Sequence, residues 1–245
     1  MRVQRRTRTR VRRASIQATD ALNARGLRSR DRLKQAALDA LNEKGLGSLR
    51  VQDVTGRAGV AAGLFYRYFH DLREIVGEIS RDFFRALLKD APVAARCRDP
   101  YDWIFENHLV LVRGFAANPG ILACMFGLAG DNEEFDQIWK ANAHRWNLEV
   151  AAFLERAAGM RHDAAARMGF VLGAMTEGVI YQSLIRHTAD LLKSGRSPED
   201  IAEVISVMWH RMIFLVNPPA NKMRAPGRQL TGQKPRRAVR RTGSR

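Results

Sequence analysis

The stretch Ala58-Gly59-Val60-Ala61-Ala62-Gly63-Leu64-Phe65-Tyr66-Arg67-Tyr68-Phe69 leaves a folding chain few choices. An amphipathic segment, Val51 to Ala58, runs into Gly59, and a second segment begins within three residues. Glycine tolerates the positive φ that ends one helix and turns the chain tightly into the next. Two short helices joined so closely make a helix-turn-helix, the unit whose second helix enters a DNA groove. On that second helix Phe65 and Phe69 stand four apart and face inward together, while Ala62, Gly63, Tyr66 and Arg67 fall on the outward side.

The flanking segments read as helices throughout. Ser29 is positioned to cap a first helix on which Leu33, Ala36, Ala37, Ala40 and Leu41 repeat at the helical spacing, ending at Lys44-Gly45. Asp71 opens a longer fourth helix striped by Ile75, Ile79, Phe83 and Leu87. A linker is expected from Pro92 to Pro100. Beyond it one device recurs, a polar cap followed by proline at the first helical position: Asp99-Pro100, Asn118-Pro119 and Ser197-Pro198. Asp131-Asn132-Glu133-Glu134 opens a helix toward Ala158, and His162 or Asp163 opens another toward Leu192, closing at Ser194-Gly195. The last helix runs to about Val216 and stops at Asn217-Pro218-Pro219. No segment alternates long enough to be a strand, so the expectation is an all-α chain of nine helices.

Charge divides the chain further. The net +16 is concentrated at the ends, with +9 in residues 1–30 and +9 in residues 218–245, so the 187 residues between them carry about −2. Such ends are self-repelling and poor in apolar residues, which predicts disordered basic tails at 1–28 and 218–245. They are read either as phosphate-attracting arms or as solubilising extensions. The apolar run from Gly169 to Ile185 is interrupted by Glu177 and Gln182, so no membrane span is expected, and the first residues, Met1 to Arg6, lack the apolar run of a secretory signal. Cys97 and Cys124 lack metal-ligand spacing and are read as reduced thiols of a cytoplasmic, nucleoid-associated protein. No cofactor is called for, and no phosphate loop, nucleophile elbow or zinc-protease motif points to an enzyme.

Between Leu33 and Ile75 the sequence resembles the tetracycline-repressor-like (TetR) family of transcriptional regulators. The resemblance is carried by the Ala-rich first helix, the Gly45 turn, Val51 and Val54, Ala58-Gly59-Val60, and above all Gly63-x-x-Tyr66-x-x-Phe69. It implies a DNA-binding head at 29–78 and a larger helical domain at 79–217 for ligand binding and dimerisation. Carried over residue by residue, it puts Gln52, Ala62, Arg67 and Tyr68 toward bases and Tyr66 toward phosphate. Three positions depart from the family pattern. Arg50 stands where Ser or Thr caps the second helix, Leu64 where a phosphate-binding Thr is usual, and Leu72 where a phosphate-binding Lys is usual, with Arg73 next to it. Gly63, Leu64, Arg50 and Arg73 complete the expected DNA-facing set, Leu64 offering only contact with a thymine methyl.

In the larger domain Trp103, His108, Phe115, Met125, Phe126, Trp139, Trp146, Phe170, Met175, Glu177 and Tyr181 read either as ordinary core or, together, as the lining of the pocket that the resemblance implies. His108 and Glu177 are its expected polar anchors. Gly169, Gly173 and Gly178 on one helix, with Ile201, Val204, Ile205, Met208 and Met212 on the next, read as the four-helix dimer interface that the resemblance implies, or else as packing within the chain. The whole reading is a homodimeric regulator, expected to repress, that binds a near-palindromic double-stranded operator and is released by a small apolar or amphipathic effector. The alternative is an architectural protein that coats DNA through its basic ends.

Overall fold

The computed structural model describes residues 24–90, 97–128, 133–193 and 195–232. Among them are ten α-helices, one 3-10 turn and no strand. Residues 1–23, most of the expected linker, part of the Asp131–Glu134 cap and residues 233–245 lie outside the described set. The chain divides into two compact units, one of Met1–Phe83 with Ala123–Ile138, the other of Phe84–Leu122 with Trp139–Arg245.

In the first unit, α1 (Ala24–Lys44), the 3-10 turn Leu46–Ser48, α2 (Val51–Ala58), α3 (Ala62–Tyr68) and the first turns of α4 (Leu72–Asp90) surround one apolar centre. Leu33, Ala37, Leu41, Leu49, Val54, Phe65, Phe69, Ile75 and Val76 are buried to within 1% of completely. Each large member contributes about 1.5–3 kcal/mol of burial. Helix α1 is already running at Ala24, so Ser29 lies inside it rather than capping it. The arginines that read as a disordered tail are good helix formers, and here they continue the helix.

Helix α2 ends as expected. Gly59 is left-handed at φ 63°, its N–H donates to Gly56 O at 3.2 Å, and the Val60 N–H donates to Thr55 O at 3.0 Å. At the other end Arg50 has no side-chain cap to offer, and the Asp53 carboxylate compensates by accepting the Arg50 N–H at 2.9 Å. Lys44 Nζ, 2.6 Å from Asp53, and that amide hold the carboxyl below its ordinary range. Asp71 caps α4 by accepting the Glu74 N–H at 2.9 Å, and Glu74 accepts the His70 N–H in return.

In the second unit, α5 (Pro100–Ala117) and α9 (Pro198–Phe214) pack along their length, beside α8 (His162–Leu184) and the part of α7 (Glu133–Ala158) from Trp139 onward. Helix α6 (Pro119–Leu128) begins in this unit and ends in the other. Asp99 and Ser197 cap as their spacing predicts: Asp99 accepts from Tyr101 and Asp102 N–H at 2.9 and 3.2 Å, and Ser197 Oγ from Asp200 N–H at 3.1 Å. Asn118 instead turns backward, its amide donating to Gly114 O at 2.9 Å to close α5. Helix α8 stops at Leu184, short of the expected Leu192. His187 takes a positive φ of 50° there, and the Thr188 N–H closes the turn on Gln182 O at 3.0 Å.

The expected C-terminal tail contains a tenth helix, α10 (Ala225–Thr231). Lys222 Nζ sits 2.6 Å from Asp102 and 3.0 Å from Asp99, and Met223 is buried with Tyr101 and Val207. Glu203 is 1% exposed; one carboxylate oxygen accepts the Tyr101 hydroxyl and the other the Arg224 N–H, both at 2.7 Å. A Cβ on Gly227 would lie 2.3 Å from Glu203 Oε1 and 2.9 Å from Val207 Cγ2, so this close docking requires glycine. Six basic residues with no acid beyond Thr231 dominate the charge count and hid this short apolar anchor.

Candidate nucleic-acid interface

Helix α3 is held by its buried side. Phe65 and Phe69, 0% and 1% exposed, lie with ring centroids 5.7 Å apart, and the Arg30 guanidinium sits 5.0 Å from the Phe69 ring centre. This cation over an aromatic face joins α1 to the residue that closes α3. The Arg32 guanidinium hydrogen-bonds Ala58 O, satisfying a carbonyl at the end of α2 that no helical N–H reaches. Glu43 with Arg57, 2.5 Å apart, adds a further α1–α2 tie.

The opposite side of α3 is left to solvent. Tyr66 is 62% exposed, its ring edge-on to Phe65 at 5.4 Å, and Ala62, Gly63 and Arg67 are exposed beside it. Gln52 on α2 and Arg73 on α4 are exposed as well, while Leu64 and Tyr68 are half-buried at the edges of the face. A Cβ at Gly63 would meet nothing within 4 Å among the described residues, so their packing does not call for glycine there. A smooth first turn followed by a guanidinium and two phenols is a surface that approaches a groove closely and then hydrogen-bonds within it. Arg50 is also exposed, but its guanidinium donates to Leu49 O at 2.9 Å and Gly47 O at 3.2 Å, which shapes the 3-10 turn ahead of α2.

Of the side chains expected around a ligand, His108, Phe115 and Met125 are buried, Phe126, Trp103, Trp139, Trp146, Met175, Glu177 and Tyr181 half-buried, and Phe170 is 67% exposed. Met125 and Phe126 belong to the first unit and the others to the second. Phe170 therefore stands on the surface of its helix rather than inside. Trp103 stacks flat on Phe153 at 3.9 Å, and Phe84 meets Phe115 and Trp139 edge-on, each at 6.2 Å.

His108 is a closed core group. Ser206 Oγ gives its proton to Ala202 O at 2.7 Å, so His108 Nδ1 donates to Ser206 at 2.9 Å, and the ring lies edge-on to Trp209 at 4.6 Å. Trp209 Nε1 in turn donates to Thr176 Oγ1 at 2.9 Å. Burial lowers the imidazole pKa to about 3, so the ring is neutral. The Glu177 carboxylate has no hydrogen bond or ion pair to another described residue, and burial raises its pKa to about 7. Among the described residues no group of three His, Cys, Asp or Glu is placed to hold a metal, and no single helix is long and apolar enough to cross a membrane.

The expected dimer residues separate into two sets. Ile201 and Ile205 are buried in the second unit, and Gly169 and Gly173 lie against Asn147 and Val150 of α7, where an added Cβ would be 3.0 Å from Asn147 Oδ1 at Gly173. These four face inward. Gly178 and Met208 are exposed, and Val204 and Met212 half-exposed. Sequence reasoning placed Phe170 in a pocket and missed Val171; 67% and 53% exposed, the two form with Ala174 and Gly178 an apolar stripe along the outer side of α8. It also missed Ser80, which is fully buried on α4 and whose hydroxyl has no hydrogen-bond partner among the described residues.

Residues 33–79 match the family described as bacterial regulatory proteins, tetR family. Solved structures share the fold of most of the chain. A transcriptional regulator from Rhodococcus sp. Rha1 is 20% identical with a TM-score of 0.65, covering 77% of this chain and 99% of its own. A TetR-like regulator from Rhodococcus sp. RHA1 is 11% identical with a TM-score of 0.60, covering 76% and 96%. A TetR family regulator from Thermus thermophilus is 20% identical with a TM-score of 0.56, covering 74% and 97%. No curated protein matches the chain.

Proposed function

We propose that this chain, which has the fold and the helix-turn-helix head of TetR-family transcriptional regulators, acts as a homodimeric repressor that a small apolar or amphipathic ligand releases from its operator. The observation that carries the DNA-binding part is the outward face of α3. Tyr66 and Arg67 are exposed on a helix whose other side is buried at Phe65, and nothing among the described residues requires Gly63 beside them to be small. Arg67 reads a base, Tyr66 holds the backbone, and the missing Cβ of Gly63 lets the helix sit deep in the major groove.

The exposed stripe of Phe170, Val171, Ala174 and Gly178, with Met208 on α9, supports dimerisation through the second unit, since a contiguous apolar face of this kind marks an interface. The half-buried Trp103, Trp139, Trp146 and Tyr181 of the second unit, with the half-buried Glu177 that has no partner among the described residues, support an apolar ligand with a polar or cationic end. In this reading ligand binding in the second unit of each protomer changes the separation of the two heads.

Binding-site selection tests the core of this reading. The wild type should return a near-palindrome, and Arg67→Ala should relax one base pair per half-site and cost about 1–3 kcal/mol on the preferred sequence. An unchanged consensus with Arg67→Ala would remove Arg67 from the reading face.

A further inference from the structure

Two positively charged residues one turn apart on α1, Arg30 and Lys34, face two negatively charged residues one turn apart on α4, Glu78 and Asp82. Arg30 Nη2 reaches both Glu78 carboxylate oxygens at 2.5 Å, and Lys34 Nζ bonds Asp82 and lies 4.0 Å from Glu78. Three of the four side chains are well shielded, 15% exposed for Arg30, 18% for Lys34 and 21% for Glu78. All four lie in the first unit. We propose that this two-rung ladder fixes the direction in which α4 leaves the DNA-binding head, making Lys34, Glu78 and Asp82 positioning residues for operator recognition. The proposal rests on the reading of the chain as a DNA-binding dimer.

The geometry argues for direction rather than strength. Rungs four residues apart are about 6 Å apart along each helix. One rung pins a point, whereas two pin a line, so the pair resists rotation of α4 against α1. The buried apolar side chains of the same two helices, Leu33, Ile75, Val76 and Ile79, contribute burial that is non-directional and allows small sliding and tilting at little cost. Arg30 extends the ladder to the recognition helix, because the same guanidinium covers Phe69, the residue that closes α3. Helix α4 then continues past Phe83, where the head's unit ends. In a dimer, the direction of α4 sets where each recognition helix lies relative to the other, and hence the half-site spacing.

The experiment is binding-site selection with full-length protein, scoring half-site sequence and spacing separately. The wild type should select a single spacing. Lys34→Glu and Asp82→Lys, each placing like charges together, should keep the half-site sequence but accept at least one additional spacing, and should bind the original site at least tenfold more weakly. Glu78→Gln, which removes a charge and adds none, should shift the result in the same direction. The double variant K34E/D82K, which pairs opposite charges again, should recover the single spacing. A purely stabilising role predicts lower melting temperatures with the spacing unchanged, and that result would overturn the proposal, as would failure of the double variant to restore what the single variants lose. A wild type that selects no pair of half-sites would overturn the underlying functional reading, and this proposal with it.

Discussion

Replacing Phe170 by alanine separates the stability of the dimer from that of the protomer. The ring is 67% exposed in the isolated chain. A phenylalanine presents about 200 Å², so roughly 130 Å² of it is free to be covered by a second copy. At about 25 cal/mol per Å² this is worth about 3 kcal/mol per protomer, or about 6 kcal/mol across a two-fold interface that uses it twice. Alanine retains part of that contact, leaving a loss of about 4–5 kcal/mol. The dimer dissociation constant should therefore rise by about three orders of magnitude. The protomer should hardly notice, since deleting an exposed ring opens no cavity, and its unfolding free energy should change by less than about 0.5 kcal/mol. Sedimentation velocity across a dilution series, paired with denaturation at a concentration where both proteins are monomeric, measures the two quantities. A dissociation constant within tenfold of the wild type would place the interface elsewhere, and a large loss of protomer stability would mean that Phe170 packs within its own chain.

Three further expectations concern other groups. Ser80→Ala removes a fully buried hydroxyl that has no partner among the described residues, so it should stabilise the chain by up to about 1 kcal/mol in urea denaturation; a loss of similar size would reveal a hydrogen bond to the hydroxyl. Glu177 holds its proton more tightly in the folded state, its pKa raised from 4.5 to about 7, so its favourable contribution is complete below about pH 4.5 and disappears as pH rises to 7. The full shift corresponds to about 3 kcal/mol, discounted for partial exposure to about 1–2 kcal/mol, and Glu177→Gln should gain that much at pH 8 while flattening the slope; an unaltered pH profile would refute the assignment. Deleting residues 1–23, which contain seven arginines, should lower affinity for specific and random DNA alike and flatten the salt dependence by about 0.9 per lost phosphate contact, whereas equal salt slopes would leave the segment without a role in binding.

The head was legible because its determinants are local. Gly59 with its positive φ, Phe65 and Phe69 four apart and the Asp71 cap each encode their geometry within a few residues. In α9 the periodicity was ambiguous, because apolar residues occur on every side. The row of Ile201, Ile205 and Trp209 turns inward and that of Val204, Met208 and Met212 outward, a choice made only by the helices packed against them. Gly169 and Gly173 follow the same logic: close approach was expected, but the approaching element is α7 of the same chain. The end of α8 was misplaced because His187, a residue with no turn preference strong enough to signal it, takes the left-handed conformation. Charge counting hid α10, whose docking depends on Met223 and the bare backbone of Gly227. The ladder between α1 and α4 joins residues 48 apart, a pairing no local pattern announces.

The docking of α10 also has a meaning in time. Lys222 meets Asp102 across 120 residues of sequence, and Glu203 waits for Arg224 near the end of the chain. At synthesis rates of roughly 5–20 residues per second, α5 is made roughly 6–24 seconds before its last partner exists. The contacts of the head between α1 and α4 are complete long before that. During translation, then, the head is assembled while the second unit still carries an open acid at Glu203, and a chain cut short before Arg224 leaves that acid without the amide that closes it.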